Sequence, residues 1–367
     1  MKFRAAIGIA GGLDTNPQDR PNRTLHVAVL GGDGVGPEVT AAAVEVAQEA
    51  LQGGSAVVEW QSAPIGHGAF VSTGSSFPEA TAKLCEETDA VLLGAIAGPE
   101  QSGVKEAEPC LLTLRRQLET YANLRPVRPH PALVAASPLR PEKLEGVDIL
   151  FVRELTGGIY FGEKSRTDHE AFDLCMYTVV EIERVVRKAC ELAQNRRGKV
   201  TMVDKANVLE TSRLWRDTSE RLTREEFPDI EYDHVLVDAM AMYLLDRPAT
   251  FDVIVTENMF GDILTDEASM LAGSMGLLPS AALGDGTKGL YEPIHGTAPD
   301  IAGQGIANPC AAILSAAMLL RHSLGLDAAA DRVERAVEQT LTDRIWTRDL
   351  GGDATTVAFT RAVIDRL

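Results

Sequence analysis

The chain has 367 residues, 45% hydrophobic and 24% charged, enough for two domains or one large α/β unit with an ample core. A formal net charge of -18 argues against a nucleic-acid or anionic-membrane partner, and any anionic substrate must be captured by local arginines. Cys85, Cys110, Cys175, Cys190 and Cys310 are scattered outside any C-x-x-C spacing, so a reducing, cytoplasmic compartment is expected, without disulfides or a zinc site.

Near the start, Lys2 and Arg4 precede a short apolar run that faintly resembles a signal segment, but residues 14–23 are polar. Residues 1–24 are therefore read as a flexible extension or an organelle import piece. Residues 25–30 form a strand candidate that runs into Gly31-Gly32-Asp33-Gly34-Val35-Gly36-Pro37, with Pro37 suited to a first helical position. Val39, Ala42, Ala43, Val46, Ala47 and Ala50 then fall on one helical face. A strand is expected at 89–93, a helix at 111–118 and a strand at 148–152. A long two-faced helix at 177–197 should stop at Gly198. Strands at 199–203, 234–237 and 251–255 follow, with a helix at 240–245. The apolar run 310–320 ends at Arg321, too short to span a bilayer. Alternating strands and helices predict an α/β fold.

Lys205, Asp238 and Asp262 each follow a strand candidate, and open α/β sheets bind ligands at the carboxyl ends of their strands. Asp262 and Asp266 lie four apart and share a helical face. They read either as acidic residues complementing a helix dipole or as hard oxygen ligands for Mg²⁺ or Mn²⁺, with Asp238 as a third. Lys205 is either a solvated lysine or, beside a cation, a general base. Arg115, Arg125 and Arg153 are surface charges or clamps for a dicarboxylate. Tyr160, between the glycines of Gly157-Gly158 and Gly162, is a structural tyrosine or a proton donor. A G-x-G-x-x-G match at Gly284-Asp285-Gly286-Thr287-Lys288-Gly289 precedes Leu290-Tyr291-Glu292-Pro293 rather than a helix, so a Rossmann fold is rejected.

From about residue 25 onward these segments resemble the isocitrate/isopropylmalate dehydrogenase family of β-decarboxylating dehydrogenases. The resemblance rests on Gly32-Asp33-Gly34-Val35-Gly36-Pro37-Glu38, Asn123-Leu124-Arg125-Pro126, Val152-Arg153-Glu154-Leu155-Thr156-Gly157-Gly158-Ile159-Tyr160-Phe161-Gly162 and Val203-Asp204-Lys205-Ala206-Asn207. It continues through residues 262–266 and His295-Gly296-Thr297-Ala298-Pro299-Asp300-Ile301. It implies a two-domain α/β fold with a large mixed sheet flanked by helices. Residues 25–120 plus 273–367 would form a cofactor-binding domain. Residues 121–272 would carry dimerisation and the metal and substrate site.

The implied reaction is NAD-dependent oxidation of a 3-substituted malate with loss of carbon dioxide. Isopropylmalate is favoured, and homoisocitrate, tartrate or another alkylmalate is the alternative. By the same resemblance Arg115, Arg125 and Arg153 hold carboxylates, and Asp238, Asp262 and Asp266 hold Mg²⁺ or Mn²⁺. Lys205 takes a proton and Tyr160 gives one. Lys205 and Asp238 would reach the site from a partner subunit, making the enzyme a homodimer with shared sites. Pro109 and Leu111 stand where isocitrate-acting relatives carry Ser and Asn, so Glu108, Leu111, Leu112 and Val208 would face an apolar substituent. Glu292, His295, Gly296, Thr297, Ala298, Pro299, Asp300, Ile301 and Asn308 would line the adenosine half of NAD. At Asp300 a carboxylate suits ribose hydroxyls and repels a 2′-phosphate.

Overall fold

The computed structural model describes residues 24–97 and 107–367. The extension expected at 1–24 lies outside the described residues, except for Thr24, which opens the first strand. The strands are β1 (Thr24–Gly32), β2 (Val57–Ser62), β3 (Ala90–Ala95), β4 (Ala122–Val127), β5 (Ile149–Glu154) and β6 (Lys164–Arg166). They continue as β7 (Ala171–Asp173), β8 (Lys199–Asp204), β9 (Glu231–Leu236), β10 (Val253–Thr256), β11 (Pro279–Leu283) and β12 (Gly289–Pro293).

Ten of them build one sheet in the order β2-β1-β3-β12-β11-β4-β5-β10-β8-β9, while β6 and β7 form a separate hairpin. Pairing in the large sheet is parallel except at β12–β11, β11–β4 and β4–β5, where it is antiparallel. Two parallel blocks of opposite direction therefore meet across an antiparallel joint, which is the expected mixed sheet. The rejected glycine match is the turn between β11 and β12, joining antiparallel strands. No nucleotide-binding helix starts there.

Side chains alternate across the sheet, so a strand buried on both sides feeds two cores. Val27, Ala90 and Leu92 face one core, built with the helices Gly36–Ala50 and Cys310–His322. Ala28, Leu30, Val91 and Leu93 face the other, which includes Cys110 and Leu114 of the helix Ala107–Gln117. The helix expected at 177–197 is Val179–Gln194. It opens with a capping box in which Thr178 and Glu181 satisfy each other's backbone N–H groups.

Strand β4 went unread because it contains Pro126. Its ladder to β11 covers only Ala122, Asn123 and Leu124, so Pro126 lies beyond that edge, where its missing N–H costs no sheet bond. All five cysteines are free, and Cys175 alone among them is not fully buried. Among the described residues no helix is long and apolar enough to cross a membrane.

Candidate active site

The site begins with Arg153, which the sequence placed just after a strand and which instead lies inside β5. Only 2% exposed, its guanidinium needs partners within the protein. It is ion-paired to Asp262, and its Nε and Nη2 donate to Asn258 Oδ1 at 3.0 and 2.7 Å. Asp262 stands in the second turn of the helix Asn258–Ala272, which follows β10, rather than at the strand end itself. The helix can approach this closely because position 261 is glycine. A Cβ there would fall 2.7 Å from Arg153 Cγ and 2.9 Å from Thr256 Cγ2.

Three further expected residues join this cluster. Tyr160 ends a short 3₁₀ turn, Gly158–Tyr160, and its hydroxyl donates to Asp262 Oδ2 at 3.0 Å. The turn needs Gly158, at φ 74°, because a Cβ would collide with the Tyr177 hydroxyl. Arg125 donates to Thr265 Oγ1 at 2.6 Å and lies 3.7 Å from Asp262 and 3.8 Å from Asp266. Burial alone would raise the Asp262 carboxyl, but Arg153 and Arg125 hold it below the usual carboxylate range. Asp266 is pushed up, mainly by burial. Burial and the neighbouring Asp262 raise the Tyr160 phenol to about 12, so at neutral pH it carries a proton to give.

Lys205 and Asp238 form a second, separate centre. Lys205 follows β8, and its Nζ donates to Asp238 Oδ1 at 2.7 Å, in the first turn of the helix Val237–Asp246. That bond holds the Asp238 carboxyl below its ordinary value. The adjacent Asp204 is spoken for, since Arg216 grips both its oxygens at 2.8 Å. Val208 stands 61% exposed one turn on, its N–H bonded to the Lys205 carbonyl. Among the described residues, no three His, Cys, Asp or Glu side chains of the single chain gather as a cation site. Asp262 and Asp266 supply two hard oxygen donors on one helix face, and Asp238 sits with the other centre.

Arg115 is buried on the helix Ala107–Gln117 and donates to Glu292 Oε1 at 2.8 Å. Glu292, expected beside the adenosine, is ion-paired to Arg115. Its place near the end of β12 turns it toward that helix. Leu111 and Leu112 are half-buried on the same helix, and the Glu108 side chain lies outside the described residues.

The cofactor expectations gather around a cavity of about 530 Å³, lined by His295, Gly296, Ala298, Ile301 and Asn308. Thr297, Pro299 and Asp300 belong to the same loop without lining the cavity wall. His295 Nε2 is buried there with no partner, and burial lowers its imidazole. Such an orphaned nitrogen suits a heteroaromatic ligand. Val35, from the first glycine-rich loop, and Gly276, Arg348 and Asp349 are among the other wall residues, and were missed. Asp349 Oδ2 accepts from Asn308 at 3.0 Å and from Ser274 at 2.6 Å, pinning the wall together. Asn258 was also missed, being a neutral amide at a helix start.

A mixed-sheet α/β protein that gathers arginines, paired carboxylates and a proton-bearing phenol, and that also holds a cavity of about 530 Å³, is built as a dehydrogenase acting on a carboxylated alcohol. Residues 26–367 match the family model described as isocitrate/isopropylmalate dehydrogenase, and the chain belongs to that family. A 3-isopropylmalate dehydrogenase of Anaeromyxobacter dehalogenans is 52% identical over 93% of this chain and 99% of its own. One from Geobacillus kaustophilus is 50% identical over 93% and 94%. Among solved structures, isocitrate dehydrogenase from Methylococcus capsulatus superposes with a TM-score of 0.84 at 36% identity, covering 93% of this chain and 99% of that one. A beta-decarboxylating dehydrogenase from Thermococcus kodakarensis gives 0.77 at 38%, covering 93% and 96%.

Proposed function

We propose that the chain catalyses NAD-dependent oxidative decarboxylation of (2R,3S)-3-isopropylmalate to 4-methyl-2-oxopentanoate, a step of leucine biosynthesis. The observation that carries this is the cluster of Arg153, Arg125, Asp262 and Tyr160, together with curated relatives of that activity near half identity over almost the whole chain. Arg115, Arg125 and Arg153 bind the two carboxylates. Lys205 would accept the C2 hydroxyl proton, and NAD, when bound, would supply the acceptor for the C2 hydride. The C3–carboxylate bond then breaks to release carbon dioxide, and Tyr160 helps protonate C3 of the resulting enol.

Asp262, Asp266 and Asp238 would hold Mg²⁺ or Mn²⁺. A divalent cation there supplies Lewis-acid polarisation of the substrate hydroxyl and carboxylate. NAD would occupy the cavity at His295, with the unpartnered Nε2 in favour of that fit. The Asp300 carboxylate favours NAD over a cofactor bearing a 2′-phosphate.

The active form is a homodimer in which Lys205 and Asp238 serve the partner's Asp262 and Asp266. Two observations support this. The two centres are separate within one chain, and Met242, Leu245, Ile263 and Met270 expose apolar side chains on the helices that carry the aspartates. The β6–β7 hairpin, with Phe172 exposed in β7, acts as the dimerising arm. The strands of residues 25–120 and 273–367 occupy one side of the sheet and those of 121–272 the other, which supports the two-domain division. Free, mostly buried cysteines accord with a cytoplasmic setting.

An NADH absorbance assay with Mn²⁺ and a panel of isopropylmalate, malate, isocitrate, homoisocitrate and tartrate tests the proposal. Isopropylmalate should give the highest kcat/KM, and a preference for any other member overturns the assignment. Leu112→Ser should lower kcat/KM for isopropylmalate by about tenfold with little change for malate, as loss of one apolar contact implies. Equal losses on both would count against an apolar pocket.

A further inference from the structure

Asn258 belongs to no expected set, yet its side chain and backbone together touch three parts of the site. Its Oδ1 accepts from Arg153 Nε and Nη2, and its Nδ2 donates to the Gly157 carbonyl at 3.0 Å. Its backbone N–H donates to the Tyr177 hydroxyl at 3.0 Å, and that hydroxyl donates to Glu257 Oε2 at 3.1 Å. Asn258 is 1% exposed and Arg153 2%, so none of these bonds has water as a substitute. A guanidinium has five N–H donors in a fixed plane. Asn258 consumes the Nε side of that plane, and the Asp262 pair engages Nη1. The donors left over are held in one orientation. Through Gly157, the same amide fixes the turn that carries Tyr160.

We infer that Asn258 is a positioning residue that aims the Arg153 guanidinium at a substrate carboxylate and ties that aim to the Tyr160 turn. This rests on the function proposed above, in assigning Arg153 to substrate. A neutral amide suits the task because it accepts from Arg153 without adding a second negative charge to the one Asp262 already places there. An aspartate at the same place would satisfy the guanidinium and spend its charge.

The test is a double-mutant cycle read by calorimetric binding of 3-isopropylmalate to the full-length protein with Mn²⁺ and without NAD. Asn258→Ala should weaken substrate binding by about tenfold, with NAD binding within about twofold of wild type, as expected for loss of buried bonds to a charged group. In an Arg153→Lys background, which lacks the fork, the same change should add no more than about twofold, since residues acting through one another are not additive. Effects that multiply, or NAD binding weakened as much as substrate binding, overturn the inference.

Asn258→Ser runs in parallel, with thermal melting of every variant. Failure of both single variants to fold also overturns it, because the residue is then structural only. Wild-type turnover is measured first. If isopropylmalate is not oxidised, the substrate proposal falls, and the same cycle run with malate still decides the role of Asn258.

Discussion

Charge placement at single atoms separates the residues that act from those that merely hold. Lys205→Ala should leave the circular dichroism and melting of the protein unchanged while lowering kcat by about 10³-fold, the usual worth of a positioned base. Near-normal turnover would remove Lys205 from that role. Asp262 carries a pH signature. Its carboxyl lies below the unfolded value of 3.8, so it contributes stability above that value and loses it as pH falls through the folded pKa. Asp262→Asn should therefore flatten the decline of the melting temperature between pH 5 and pH 3, even if the variant is less stable at pH 7. An unchanged slope would mean that the arginines do not hold this carboxylate ionised. Asp266, pushed the other way by burial, contributes with the opposite sign.

At the scale of elements, what could be read in advance depended on whether the signal was local. The helix Val179–Gln194 was legible because its capping box and apolar spacing lie within a few residues of one another. Thr178→Ala should cost about 1 kcal/mol by removing that cap, seen as a lower denaturation midpoint with unchanged specific activity. A midpoint equal to wild type would mean that the box is idle. Arg153, Tyr160 and Asp262 were likewise legible, since motif spacing identified them and the structure joins all three. Strands β11 and β12 were not, being short and held on their outer sides by β4 and β3, which lie far away in sequence. Arg348 and Asp349 escaped for a similar reason, since only tertiary folding brings the distal chain to the cavity wall. Asn258 escaped because a polar residue at a helix start normally reads as a cap, and its actual partners lie about a hundred positions away.

For the molecule as a whole, the proposed shared site makes a quantitative forecast. Lys205→Ala and Asp262→Asn homodimers should each be inactive. Random mixing of the two should restore about one quarter of wild-type activity, because each mixed dimer regenerates one intact site. No recovery on mixing and refolding would place both centres in one chain. The sheet also limits how such a protein can be inherited. Residues 121–272 cannot be passed between genes as a freestanding cassette, because β4 would lose β11 and present a bare edge. The remainder would lose β4 from the other side of the same joint. Unpaired edges invite aggregation, so either half inherited alone would carry an aggregation-prone edge.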